Sequence, residues 1–101
     1  MARRLTLQRL LEEILGSKNV YFQPPTSLQL NYPCIIYKLS GVNKKFADNR
    51  TFNYKKQYTI TLITRDPVSP AIDQLLVFEN TSFDRHYVVD KLNHFSYTLY
   101  F

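Results

Sequence analysis

The chain has 101 residues, a length that suits a single domain, residues 1–101. It holds only two glycines, Gly16 and Gly41, which excludes a glycine-rich phosphate-binding loop. Cys34 is the one cysteine, so neither an internal disulfide nor a cysteine zinc site can form. No apolar run approaches the ~20 residues of a membrane span, and no signal-peptide core follows the N-terminus. We therefore expect a protein of a reducing cytosol that does not enter a membrane.

The net charge of +5 is concentrated in one segment of the chain. Residues 38–56 contain six basic residues against one acid, Asp48, while the basic and acidic residues elsewhere balance. The six are Lys38, Lys44, Lys45, Arg50, Lys55 and Lys56. Such a local excess predicts a basic loop or hairpin, in contrast to a uniformly basic protein.

The first predicted element is a helix over residues 6–15. Its apolar residues recur on one helical face, with Thr6 as the expected N-cap and Gly16 as the residue that ends the helix. The apolar face consists of Leu7, Leu10, Leu11, Ile14 and Leu15, and the polar face of Gln8, Arg9, Glu12 and Glu13. A stripe this narrow predicts packing on a sheet or on a partner.

Three β-prone segments follow this helix. Residues 20–22 are stopped by two prolines, which predicts an edge strand or an extended arm. Residues 32–39 form a continuous apolar run, which predicts a strand covered on both faces near its start. Residues 56–64 alternate and predict a third strand. The stretch 41–55 links the last two strands and predicts a long protruding hairpin with its tip at residues 47–50.

The rest of the chain predicts a second helix and a final strand. Asp66-Pro67 ends the third strand, and Pro70 opens a helix whose apolar face holds Ile72, Leu75, Leu76 and Phe78. Residues 80–82 predict a turn, and Val88-Val89 predict part of a short strand. Residues 93–101 alternate cleanly and predict a half-buried strand, with one side made of Phe95, Tyr97, Leu99 and Phe101.

The element order α-β-β-β-α-β(β) predicts an α+β fold. The economical arrangement is a mainly antiparallel, four- to five-stranded sheet with two helices packed on one face and a long protruding hairpin.

The polar residues carry no spacing typical of catalysis or metal binding. His86 and His94 are eight apart, in a predicted turn and a strand, unlike the paired ligands of a helical metal site. Cys34 could join His94 and an acid as a nucleophilic set, but it lies in an apolar run, where a thiol is normally an inert core residue. The adjacent charges of Asp84-Arg85 and Asp90-Lys91 are typical of solvated loops, local ion pairs or interface contacts. We therefore expect no enzyme activity, no metal and no cofactor.

The basic segment allows three interpretations. Its cations, interleaved with aromatic residues, could bind the phosphates and stack on the bases of a nucleic acid. They could instead form a solvated edge that prevents aggregation, or anchor a contact with a protein. Protein contact is favoured, and a small basic nucleic-acid-binding module is the alternative function. The candidate residues, at an interface or facing DNA, are Lys44, Lys45, Phe46, Asn49, Arg50, Phe52, Tyr54 and Lys55.

Several stretches of the chain resemble small head–tail junction proteins of tailed bacteriophages, the tail terminators and minor tail proteins. These stretches are residues 19–25 (NVYFQPP), 32–37 (YPCIIY), 47–49 (ADN), 58–67 (YTITLITRDP) and 83–101. Together they cover most of the chain after the first helix, as a general pattern without a catalytic signature.

The resemblance implies a structural virion protein whose copies, six by expectation, form a ring on the tail tube. Such a ring would stop tube polymerisation and present a surface to the neck or head-completion connector. Its implied partners are therefore itself, the tail tube protein and the connector protein. Its implied location is the tail or neck region of the virion, after assembly in the host cytoplasm. The genome would pass any central opening, so a basic hairpin there could contact phage DNA without reading its sequence.

The composition also favours assembly. Fifteen aromatic residues exceed what a two-layer core of this size easily encloses, and the remainder is expected at subunit interfaces. A ring needs a heterologous contact, in which a protruding element docks on a different patch of the next copy. The candidates for that element are the 41–55 hairpin and an arm made of Val20, Tyr21, Phe22 and Pro24.

Overall fold

The computed structural model describes the backbone of residues 2–47 and 50–101 and the side chains of residues 4–42 and 56–101. These described residues form an α+β fold with two helices and one five-stranded sheet. In chain order the elements are α1 (Ala2–Leu15), β1 (Val20–Phe22), β2 (Cys34–Ala47), β3 (Arg50–Thr64), α2 (Pro70–Leu76), β4 (Thr81–Val89) and β5 (Leu92–Tyr100). Neither described helix is long and apolar enough to span a membrane.

The sheet is mixed, with the strand order β1-β2-β3-β5-β4. β1 pairs in parallel with β2, from Val20↔Ile35 to Phe22↔Tyr37. The other three pairings are antiparallel, which confirms a mainly antiparallel sheet. The strand expected to be an edge strand or an arm, residues 20–22, is therefore an edge strand.

The core is one cluster of buried apolar side chains from both helices and from four strands. Alternation along β3 and β5 directs every second side chain to the same face of the sheet, as the register Tyr58↔Leu99, Ile60↔Tyr97 and Leu62↔Phe95 requires. The buried members of this cluster are Leu7, Leu11, Val20, Ile35, Tyr37, Tyr58, Ile60, Leu62, Ala71, Leu75, Phe95, Tyr97 and Leu99.

Helix α1 begins earlier than its apolar spacing predicts. It starts at Ala2, so Thr6 lies inside the helix and the predicted N-cap is wrong. Gly16 ends the helix as expected, with a φ of 78° and its N–H donating to the carbonyl of Glu12 at 2.8 Å. Gln8, assigned to the polar face, is half-buried, because its amide group bonds to the sheet beneath α1.

Strands β2 and β3 have different limits from those predicted. β2 begins at Cys34, two residues after the predicted start, and Pro33 before it has no N–H to give to the ladder. β2 continues to Ala47 and β3 begins at Arg50, so most of the predicted 41–55 link is strand. This mainly polar stretch has no sustained apolar alternation, so its strands are established by the pairing of the two backbones. Asp48 and Asn49, at the predicted tip, lie outside the described residues.

Strand β4 is nine residues long, although only Val88-Val89 were expected to contribute to a strand. The predicted turn at 80–82 is wrong for Thr81 and Ser82, which belong to β4. His86 likewise lies in this strand and not in a turn. The residues that turn the chain before β4 include Asn80, whose φ is 60°.

Helix α2 begins where Pro70 predicts. Ser69 is its N-cap, and the Ser69 hydroxyl accepts from the N–H of Ala71 at 3.4 Å. Leu75 is buried as expected, but Leu76 is 46% exposed, so its assignment to the apolar face is wrong. The helix ends at Leu76, one residue after the buried Leu75.

Candidate interaction surfaces

The predicted arm, residues 20–24, is held against the rest of the fold. Val20 is only 5% exposed and its side chain belongs to the core. The Phe22 ring packs on the Tyr37 ring with centroids 5.0 Å apart. The half-buried Tyr21 and Pro24 are the members of this candidate set that keep accessible surface without packing in the core cluster.

A buried tyrosine joins α1 to the β1–β2 edge of the sheet. The Tyr37 hydroxyl donates to Gln8 Oε1 at 2.5 Å and accepts from Arg4 Nη1 at 3.3 Å. Gln8 Nε2 in turn donates to the Val20 carbonyl at 2.9 Å, and the Arg4 guanidinium lies 4.6 Å from the centre of the Phe22 ring. Burial raises the pKa of Tyr37, which keeps its hydroxyl protonated as the donor. Gln8, from the expected polar face of α1, and Arg4, which precedes the predicted helix, thus position the edge strand.

Gln23 caps the edge of β2 where β1 ends. Its backbone is left-handed, with a φ of 45°, an uncommon conformation for a residue with a Cβ. Its N–H donates to the Tyr37 carbonyl at 3.0 Å, and its side-chain Oε1 accepts from the N–H of Leu39 at 3.2 Å. After β1 ends, the Gln23 side chain therefore provides one further hydrogen bond to the edge of β2. This cap reaches no further along β2 than Leu39.

An apolar pocket of about 560 Å³ lies beside this cap. The segment that follows β1 forms one wall, and β2 forms the other. Its lining residues are Gln23, Pro24, Pro25, Thr26, Leu28, Leu30, Ile36, Lys38 and Leu39. Its walls are mainly aliphatic, and Lys38 is the one charged residue among the described lining residues. They are suited to aliphatic side chains more than to a polar metabolite.

The candidate basic residues fall on a two-stranded segment that we call the distal ribbon, residues 43–47 of β2 and 50–55 of β3. The two strands are paired from Asn43↔Lys55 to Ala47↔Arg50. β1 pairs with β2 only up to Tyr37, and the bonds on the β5 side of β3 stop at Lys56. In the described sheet the distal ribbon therefore has no neighbouring strand on either side. Seven of the predicted contact residues lie on this ribbon, and their side chains are outside the described residues: Lys44, Lys45, Phe46, Arg50, Phe52, Tyr54 and Lys55. The eighth, Asn49, is outside the described residues altogether.

Strand β4 forms the opposite edge of the sheet. All but two of its residues are exposed, and Phe83, Val88 and Val89 are exposed apolar side chains. The register shifts between Phe83 and Arg85, which is a bulge at Asp84. The regular part of this edge is therefore residues 85–89, and sequence reasoning missed it because an exposed strand has no apolar alternation.

The histidines lie on opposite faces of the β4–β5 pair, so they do not form one site. His86 stacks on Phe95 at 4.4 Å and its Nε2 hydrogen-bonds with Asn93 Oδ1 at 3.0 Å. His94 stacks on Tyr87 at 4.9 Å. Both rings are engaged in stacking contacts, and no group of three potential metal ligands occurs among the described residues.

Cys34 is fully buried, and burial raises the pKa of its thiol from 9.0 to about 11. The thiol is therefore protonated at neutral pH and lacks the thiolate that a nucleophile needs. This environment fits the core role that the apolar run suggested.

A scan against protein-family models and a search of curated proteins found no match to this chain.

Proposed function

We propose that this chain is a structural protein of the tailed-bacteriophage virion, a tail terminator that forms a six-copy ring between the tail tube and the neck connector. It would act by binding and would have no enzyme activity. The stretches that resemble head–tail junction proteins support this function, and so does the fold, in which β4 is an exposed edge strand and β2 continues past the end of β1.

The single observation that carries the proposal is the distal ribbon. Here β2 and β3 run past their neighbours for five paired residues, roughly 16 Å at the usual rise per residue. The chain measures 51 × 26 × 23 Å, and this elongated shape supports a ribbon that protrudes from the rest of the fold. An element that extends beyond its own core is suited to docking on a neighbouring copy.

The charge of the ribbon suits a position near the genome. It carries Lys44, Lys45, Arg50 and Lys55, and no acid lies between Lys38 and Ala47 or between Arg50 and Lys56. Cations attract phosphates regardless of sequence, which matches a DNA that passes through without being read. The ribbon would then meet a neighbouring copy, the passing phage DNA, or both at the rim of the ring.

The test is the assembly state of the purified chain, measured by light scattering over a range of concentrations, alone and with the tail tube protein of the same virion. We expect a particle of six times the 12.0 kDa of one chain, either alone or when the tube protein is added, and arrest of tube growth. A chain that stays monomeric and leaves tube polymerisation unchanged would overturn the proposal.

The alternative function is a small basic nucleic-acid-binding module that uses residues 38–56. The observation that favours it is that the excess cations lie on two paired strands, where their charges act together. It requires salt-dependent binding of single-stranded DNA that is lost when Lys44, Lys45 and Arg50 are changed to Glu. The matched control changes three cations elsewhere, Arg9, Lys18 and Lys91, to Glu, and no binding at low salt would exclude the alternative.

A further inference from the structure

We propose that copies of this chain join through their sheets, with the β4 edge of one copy adding to the β2 edge of the next. This inference rests on the proposed ring and names the strands that build it. β4 is one outer strand of the described sheet, and β2 lies second from the other side, where it continues beyond the last residue that pairs with β1, Tyr37. Such a junction is heterologous, as a ring requires.

The β2 edge has backbone groups that face away from the sheet. Lys56 exchanges both of its backbone hydrogen bonds with Phe101, on the β5 side of β3. Its register partner Val42 must therefore point its own N–H and C=O away from β3, toward the side where β1 has ended. The alternation of a strand gives Lys44 the same backbone orientation. Val42 is also 50% exposed, so this edge offers an apolar side chain together with its hydrogen-bonding groups.

The β4 edge has the complementary arrangement. Asp90 and Lys91, with φ values of 51° and 64°, form the two-residue turn between Val89 and Leu92. In such a hairpin the residues next to the turn bond to each other, so the backbone groups of Val88 and His86 point outward. Val88 is 59% exposed. Val88 and His86 on β4 therefore have the same spacing as Val42 and Lys44 on β2, and in each pair both backbones point outward.

The strand directions decide how the edges meet. β2 runs opposite to β3, β3 opposite to β5, and β5 opposite to β4, so β4 runs antiparallel to β2 within one chain. Cyclic symmetry keeps these directions in every copy when the strands run along the ring axis. The junction is then an antiparallel ladder, and it aligns Val88 with Val42 and His86 with Lys44. A contact of β4 with β4 would instead need a two-fold axis and would close a dimer.

Two features limit which residues can take part in the junction. The bulge at Asp84 ends the regular part of β4, and the Gln23 side chain already occupies the N–H of Leu39 on β2. The pairing is therefore confined to Arg85–Val89 on one side and to residues after Leu39 on the other. The apolar pocket beside Leu39 lies where the turn end of β4 would arrive, next to Val88 and Val89.

Proline substitutions at the two edges test the junction. Val88→Pro and Val42→Pro each remove an N–H that points away from the described sheet and that the junction needs. The controls Val88→Thr and Val42→Thr keep both N–H groups. Each proline variant is expected to be monomeric by light scattering, whereas each threonine variant forms the wild-type ring. Thermal unfolding of the monomers checks that the fold survives.

Mixing the two proline variants gives the decisive measurement. A chain with Val88→Pro keeps its β2 edge, and a chain with Val42→Pro keeps its β4 edge, so the mixture should form a dimer with one junction and no larger species. If either proline variant still forms a particle of the wild-type size, or if the mixture stays monomeric, this inference is overturned. If the wild-type ring persists in the variants, the proposed function stands while the junction fails. A wild-type chain that is monomeric with and without tube protein removes both.

Discussion

Tyr37→Phe should destabilise the chain by disconnecting α1 from the sheet edge. The Tyr37 ring is fully buried and its hydroxyl donates to Gln8 Oε1 at 2.5 Å. The substitution keeps the ring and its packing against Phe22, and it leaves the Gln8 oxygen without this donor. A lost hydrogen bond costs about 1 kcal/mol, and the unpaired, partly buried acceptor adds to that cost. We therefore expect the free energy of unfolding to fall by about 1.5 kcal/mol. For a domain of this size, each kcal/mol lowers the Tm by about 4–8 °C.

Urea unfolding of the wild type, Tyr37→Phe, Gln8→Ala and the double variant measures this effect as a double-mutant cycle. The two side chains are in contact, so we expect a coupling energy of about 0.5–1.5 kcal/mol and an unchanged m value. Tyr87→Phe is the matched control, since Tyr87 lies against His94 on the other side of the sheet, and it should change stability by less than about 0.5 kcal/mol. Additive losses in the cycle, or a Tyr37→Phe loss no larger than that of the control, would refute the reasoning.

Two further predictions concern the core thiol and the β4–β5 turn. Burial raises the pKa of Cys34 from 9.0 to about 11 in the folded chain. The contribution of the protonated thiol to the free energy of unfolding is therefore complete below pH 9 and is lost as the pH rises to 11. The wild type should therefore lose roughly 2–3 kcal/mol of folding stability over that range from this group, and Cys34→Ala should lack that part of the slope in urea unfolding at pH 8–11. Equal slopes would contradict the assignment. Lys91→Gly should raise stability by about 1 kcal/mol in thermal unfolding, because glycine tolerates a φ of 64° that lysine does not favour. Lys38→Gly, in an extended strand, is the control and should destabilise, and a Lys91→Gly variant that loses stability would refute the turn geometry.

Local patterns in the sequence were sufficient for the elements that bury an apolar face. The spacing of Leu7 and Leu11 predicts α1, and the alternation through Phe95, Tyr97 and Leu99 predicts β5, because burial leaves a helical or strand period in the residues themselves. Pro70 and Gly16 mark their helix ends for equally local reasons. The α+β fold follows from these elements in order.

The tertiary structure decided what has no period in the sequence. The distal parts of β2 and β3 are polar, and they are strands because each supplies the other's hydrogen bonds. β4 is an exposed edge, and the Asp90-Lys91 turn that creates its hairpin has neither glycine nor asparagine to reveal it. The role of Gln8 depends on Tyr37, 29 residues away in the chain. The confinement of the basic charge to residues 38–56 was evident from the sequence. The placement of four of its six cations, Lys44, Lys45, Arg50 and Lys55, on the distal ribbon depended on the pairing of β2 with β3.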